Sequence, residues 1–231
     1  MIHQLIFAHP RPGMTEQEFQ RYWVEEHAVR YASKIPQIKR YAVDTRVARP
    51  GDTGDPLWSG AAEIWLENEE EQLASLQTPE FLEGARLDEP RWAAFWRSLV
   101  LDTDTEVVLQ GQPDDELQPG IKLITLAKRR EGLPLAEFRS HQRETQAKLT
   151  AAVPGVRRCL QSFTRDSWYA VSEPPFDAAT HVWFDDLPAL EAALLSPEQT
   201  RADEDRAEIV NPRYLHSLAL RQHWIIGPGS R

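Results

Sequence analysis

The chain of 231 residues holds one cysteine, Cys159. That excludes an intramolecular disulfide and a cysteine-built zinc site. Cys159 falls in an expected strand, where a small buried apolar role suits it better than nucleophilic chemistry, since a reactive thiol needs a base in reach and a lowered pKa. Bases are in deficit: 26 Lys and Arg stand against 36 Asp and Glu, for a formal net charge of -10. A surface of that sign repels phosphate backbones and argues against a nucleic-acid partner. Lys128, Arg129 and Arg130 cluster closely and read as a solvated strand end. No apolar run approaches the roughly 18 residues of a membrane span. The first residues lead straight into a strand, with no basic and apolar secretory leader, so no membrane partner and a cytoplasmic location are expected. Signatures of the form GxGxxG, GxxxxGK[ST] and GxSxG are absent, which leaves nucleotide binding and α/β-hydrolase chemistry unsupported. No two histidines have HxxxH or HExxH spacing. No metal is therefore expected, although His3, His9, His27 and Glu63 supply donor atoms of the right kind.

What is present is ordinary globular composition, 41% hydrophobic and 27% charged, and an internal repeat. Ile2 to Ala8 (IHQLIFA) resembles Ile121 to Ala127 (IKLITLA). Glu18-Phe19 matches Glu137-Phe138, Ile35-Pro36 matches Val153-Pro154, Glu63-Ile64-Trp65 matches His181-Val182-Trp183, and Thr78-Pro79-Glu80 matches Ser196-Pro197-Glu198. All these blocks keep one order and an offset of 118 to 119 residues, the mark of a duplicated module.

Each copy reads as strand, helix, strand, strand, helix, strand. In the first, Thr15 is a credible N-cap with Glu18 completing a capping box; in the second, Pro134 suits a helix start. Pro36 and Pro154 end the helices, which run to about Lys34 and Ala152. Gln110 to Gly120 is polar and rich in proline and glycine. The expected organisation is a first module at 1–110, a linker at 111–120, a second, diverged module at 121–226 and a disordered tail at 227–231. The βαββαβ order implies an α+β fold of two tandem ferredoxin-like modules. His3, Leu5, Phe7 and His9 alternate with Ile2, Gln4, Ile6 and Ala8, so both sheet faces are substantially apolar and need cover. Packing the modules sheet to sheet as an intrachain α+β barrel supplies it. The pair is expected to be a monomeric fused barrel or a homodimer.

The first module carries Phe19-x-x-Tyr22-Trp23-x-x-x-His27, then Ile35-Pro36-x-x-x-x-Tyr41. This resembles the EthD-like family of the dimeric α+β barrel superfamily, in a tandem form. In the second module Phe138 is kept, but Gln142 stands in place of Trp23 and Gln146 in place of His27. The resemblance implies a pocket between helix and sheet that takes a hydrophobic aromatic or polyketide-like molecule. It also implies chemistry among cyclisation, isomerisation, C–C lyase and cofactor-free oxygenation.

Trp23 and His27 lie four residues apart on one helix face. His27 is the candidate acid or base, because its ordinary pKa is close to working pH; the alternative is an edge histidine on a packed aromatic face. Tyr22 and Tyr41 are candidates to orient substrate oxygen atoms, against a packing role. Glu63 and His181 occupy equivalent positions on the third strands and are further acid–base candidates, the alternative being an exposed sheet edge. Phe19, Trp23, Trp65 and Trp183 are candidate binding residues. Trp92 and Trp96 share a helical face by spacing and are expected to roof the pocket, though core packing serves as well. The leading reading is an enzyme without a cofactor that moves protons on a ring substrate. A cofactor-free monooxygenase on a phenolic substrate, a haem enzyme with His181 or His216 as axial ligand, and a non-catalytic binder of hydrophobic metabolites are the alternatives.

Overall fold

The structure, a computed structural model, describes residues 1–111 and 120–231; the expected linker lies almost wholly outside the described residues. The described residues form eight strands: β1 (Ile2–Ala8), β2 (Arg40–Arg46), β3 (Gly60–Leu66), β4 (Leu99–Leu109), β5 (Ile121–Arg129), β6 (Arg158–Thr164), β7 (Ala178–Phe184) and β8 (Val210–Ile226). They hydrogen-bond in the order β1-β3-β2-β8-β5-β7-β6-β4, which closes on itself as in a barrel. No helix among the described residues is long and apolar enough to cross a membrane.

The chain divides into two compact units, Met1–Asp102 with Gln222–Arg231, and Thr103–Arg221. These boundaries depart from the expected 1–110 and 121–226. β4 and β8, of 11 and 17 residues, each give one end to each unit. β8 also starts at Val210, ahead of the expected 215, despite Pro212. The register of β5 on β8 jumps there, from Ala127↔Leu215 to Arg129↔Val210, and such an irregularity tolerates a residue that lacks an N–H.

In the first unit the helices are α1 (Glu16–Tyr22), a π-helical segment (Trp23–His27), α2 (Ala28–Arg30), α3 (Glu69–Ser75), a second π-helical segment (Glu80–Ala85) and α4 (Arg86–Asp88). Thr15 caps α1 with the expected capping box: its hydroxyl accepts from the Glu18 N–H, and the Glu18 carboxylate accepts from the Thr15 N–H. Alternation along the strands sorts the two sheet faces. Ile2, Ala8, Tyr41, Val43, Ala62 and Leu66 form one core with Phe19, Trp23 and Trp92 beneath the helices. His3, Leu5, Glu63 and Trp65 therefore take the opposite face. Gly60 brings helix and sheet together: a Cβ there would meet the Asp44 carbonyl oxygen at 2.5 Å and the Trp23 ring at 3.1 Å, so only glycine lets Trp23 settle on β3. The segment expected as a disordered tail is tied down. The Arg231 guanidinium donates to the carbonyl oxygens of Ser33, Ile35 and Ile38 at 2.6, 3.2 and 3.1 Å.

The second unit repeats the plan with α5 (Leu135–His141), a π-helical segment (Gln142–Gln146), α6 (Ala147–Ala151), a short α7 (Asp166–Tyr169), α8 (Leu187–Leu194) and α9 (Pro197–Ile209). Its core under the helices includes Ala127, Phe138, Phe163 and Ile209. Gly13 and Gly132 occupy equivalent turns before the first helix of each unit, at φ of 85° and 83°, where a side chain would be strained.

Candidate active site

The first helix of each unit changes to π-helical winding at matched positions. Ala28 N–H reaches back to Trp23 O, and Ala147 N–H to Gln142 O. Such i to i+5 turns mark functional sites more often than regular helix does. In the first unit the winding sets both Trp23 and His27 inward, at 2% and 6% exposure. The Glu80–Ala85 segment winds the same way just before Asp88. In the second unit the matching helix, α9, is regular α-helix.

His27 and Asp88 meet. His27 Nδ1 lies 2.9 Å from Asp88 Oδ2, with both side chains nearly sealed, at 8% and 2% exposure. Tyr22 Oη donates to the other carboxylate oxygen at 2.8 Å, and the exposed Arg91 stands 3.7 Å from the same oxygen. A carboxylate accepts only, so the proton of neutral His27 resides on Nδ1 and its lone pair on Nε2. The hydrogen bond of His27 to Asp88 is made through Nδ1, and none to Nε2 is seen among the described residues. Burial lowers the His27 pKa from its ordinary value, with Asp88 pulling part of the way back. The ring is therefore neutral, and able to accept a proton, at pH 7. Burial first, then the hydrogen bond to Asp88, raises the pKa of Tyr22.

Aromatic rings wall this dyad. Trp92 lies 4.6 Å from His27, 4.9 Å from Trp23 and 5.3 Å from Phe19 between ring centres, with Phe95 edge-on at 6.0 Å. The Trp92 indole N–H is buried without a partner, an expense that a bound acceptor oxygen would relieve. A cleft of about 540 Å³ runs beside α1, with Tyr22, Met14 and Arg11 among its lining residues.

The structure thus brings His27, Tyr22, Phe19, Trp23 and Trp92 together and adds Asp88, which is not among the candidates drawn from the sequence. Nothing local marks Asp88; 61 residues separate it from His27, and only the packing of α4 on α1 joins them. The other candidates fall elsewhere. Tyr41 is fully buried in the same core, and burial raises its pKa far above the usual phenol range against the opposing Trp23 hydrogen bond. Trp96 does not roof the pocket. Residues 92–94 leave the helix between two 3-10 turns, so the four-residue spacing no longer means one face, and Trp96 is 75% exposed while Trp92 is buried.

Glu63 is neither at an exposed edge nor in the His27 site. It lies on the opposite sheet face, where Glu63 Oε2 is 2.9 Å from His3 Nε2 and Oε1 accepts from Gln222 Nε2 at 2.7 Å. Trp65 shares that face, stacked on His3 at 4.3 Å and on Trp224 at 5.5 Å, so it cannot hold a ring against His27. In the second unit His181 and Trp183 are likewise on the face away from the helices. His181 is fully buried with Nε2 3.1 Å from Ser162 Oγ. Trp183 lies between Lys122 and Arg158, at 4.8 and 5.0 Å. At the positions of Trp23 and His27, Gln142 and Gln146 are buried, and the Gln146 amide donates to Ala202 O at 3.2 Å. A histidine–carboxylate pair does recur five positions before Gln146, His141 Nε2 to Asp205 at 3.0 Å, at the place of Tyr22 and partly exposed.

Comparison with solved structures finds likeness across nearly the whole chain. An anthrone oxidase-like protein matches at 15% identity and a TM-score of 0.64, over 98% of this chain and 93% of that one. A candidate monooxygenase from Fusobacterium nucleatum subsp. nucleatum matches at 8% identity and 0.60, over 96% and 91%. A chlorite dismutase variant from Candidatus Nitrospira defluvii matches at 8% and 0.52, over 95% and 91%. At such identities the likeness is one of fold. No curated protein matches. The EthD domain model matches residues 11–95 and again residues 130–213; with two copies covering most of its length, the chain belongs to the EthD domain family.

Proposed function

We propose that the first unit is an acid–base catalyst for a hydrophobic aromatic or polyketide-like molecule, with His27 as the proton acceptor and no resident cofactor. The observation that carries this reading is the Asp88–His27 pair, which leaves the Nε2 lone pair unbonded beside Trp92. His27 Nε2 takes a proton from a carbon next to a ketone, or from a phenol. Asp88 then stabilises the imidazolium, as carboxylates do behind catalytic histidines. Tyr22 gives its one hydroxyl hydrogen to the same carboxylate, which leaves its oxygen to accept from a substrate hydroxyl. Return of the proton from His27 to a different carbon completes an isomerisation; attack of the carbanion on a carbonyl carbon of the same molecule, with the proton returned to the new alkoxide, completes a cyclisation; and removal of a hydroxyl proton, cleavage of the adjacent C–C bond and return of the proton to the departing carbanion completes a lyase reaction, none needing a further reagent.

The second reading shares the first step and hands the resulting anion to dioxygen. The resemblance in fold to an anthrone oxidase-like protein favours it and names a test substrate. Anthrone loses a proton from the methylene between its rings, and the anion supplies the electrons that reduce O₂. One oxygen atom ends in anthraquinone and the other in water, so no other oxidant or reductant is needed. A haem reading fits poorly. His181 is sealed and engaged by Ser162, and the His216 ring packs edge-on against Phe176.

The test is anthrone turnover by the wild type and by His27→Ala, in air and under strict anaerobiosis, together with solvent deuterium uptake at the methylene. Loss of His27 is expected to cost about 10²- to 10⁴-fold with an unchanged circular dichroism spectrum. A variant as fast as the wild type removes His27 from the mechanism. Deuterium uptake that persists without oxygen while anthraquinone formation stops supports the oxygenase branch. A wild type that moves no proton of anthrone sinks that substrate class.

A further inference from the structure

We infer that the second unit binds a small monocarboxylic acid with an apolar body, seated beside the turn that carries Arg130. The cleft there measures about 700 Å³, within the range of small-molecule sites. It is separate from the His27 chemistry and uses the cluster of bases that the sequence suggested was merely solvated.

Two of the three bases are already committed. Lys128 Nζ lies 3.1 Å from Asp177 Oδ1, and Arg129 Nη1 lies 2.6 Å from the same atom. Glu173 closes on both cations, with Arg129 Nη2 at 2.9 Å. Tyr169 adds its hydroxyl to Asp177 at 2.6 Å, and Asp177 is fully buried. This network makes a rigid floor whose charges cancel. Arg130 is different: it is exposed, lines the cleft, and no carboxylate among the described residues pairs with it. Its planar fork of N–H donors matches a carboxylate with two parallel hydrogen bonds.

The walls fit the rest of such a ligand. Leu133, Pro134, Pro174 and Pro175 line the cleft together with Tyr214, which is 48% exposed. Prolines lose little freedom when a ligand packs on them. Glu131 also lies at the rim, with no ion pair among the described residues, so a second negative charge is repelled and a monoacid is preferred to a diacid or a phosphate.

The repeat points to the arginine rather than the glutamate as the element in use. Arg11, Gly13 and Met14 line the cleft of the first unit at positions equivalent to Arg130, Gly132 and Leu133. Glu131 is answered there by Pro12. Both glycines hold positive φ with no atom within 4 Å of a built Cβ, so each rim is bare backbone beside an arginine.

The test is a titration of the full chain, read by ¹H–¹⁵N spectra and calorimetry, with benzoate, benzyl alcohol, benzylamine and phthalate. Benzoate is expected to bind and to move the Gly132, Leu133 and Tyr214 signals, with phthalate and benzyl alcohol weaker. Arg130→Gln, an exposed change that leaves the fold intact, is expected to weaken benzoate about 10-fold or more, the usual cost of losing a charged hydrogen bond, and to leave benzyl alcohol unchanged. No benzoate binding, equal binding by the variant, or a preference for benzylamine overturns the proposal.

Discussion

Asp88→Asn tests the candidate site without knowledge of the substrate. The asparagine keeps the shape of the side chain, but its single carbonyl oxygen can accept from only one of the two donors that Asp88 serves, His27 Nδ1–H and Tyr22 Oη–H. The amide then faces the other donor with N–H groups of its own. Losing one charged hydrogen bond and weakening the other costs about 1.5–3 kcal/mol each in isolation. Relief from burying an unneeded charge offsets part of that, so a net loss of about 2 kcal/mol is expected. For a chain of this size that lowers Tm by roughly 4–8 °C.

The sharper readout is His27 itself. Burial already lowers its pKa and Asp88 opposes burial, so removing the carboxylate sends the pKa lower still. The sign for stability follows. A histidine whose folded pKa is depressed contributes fully above its unfolded value of about 6.5. That contribution is lost as pH falls from there to the folded value, because the unfolded chain binds the proton first. In Asp88→Asn this window widens toward acid. Proton-detected histidine NMR through a titration measures it directly. An unchanged or raised His27 pKa in the variant would refute the assignment of Asp88 as the group that holds the imidazole.

Two further outcomes are expected. Cys159 is buried and burial pushes its thiol up to about 12; an aromatic disulfide reagent at pH 8 should leave the native protein untouched and titrate one thiol after denaturation, and fast native labelling would contradict the buried strand position. Trp96→Ala removes a side chain that is 75% exposed, so unfolding free energy should stay within about 0.5 kcal/mol of the wild type, and binding or turnover at the His27 site should not change.

Much of the plan was legible as pattern. The repeat offset, the capping box at Thr15, the helix-ending prolines and the two strand faces all follow from short-range rules, and the structure shows the corresponding elements. His27, Tyr22, Phe19 and Trp23 sit within one helix and were legible together, since helical spacing fixes which side chains share a face. Trp92 joined them, but Trp96 did not, because the spacing argument fails once the chain leaves the helix at Trp92. Glu63 and Trp65, two residues apart on one strand, share a face as strand alternation requires. Which face met the helices is decided by the partners of the sheet, and it placed both away from His27.

The sequence by itself determined the duplicated modules, the order of elements and the position of the histidine that one copy keeps and the other replaces with Gln146. Those properties reside in periodicity, turn chemistry and direct comparison of the two halves. Tertiary structure alone decided that Asp88 holds that histidine, that the winding turns π-helical at Trp23, and that Asp177 consumes Lys128 and Arg129 while Arg130 stays open. The two side-chain pairings depend on groups tens of residues apart coming within 3 Å or so, the range over which a hydrogen bond or ion pair has much energy, and no local pattern encodes that distance.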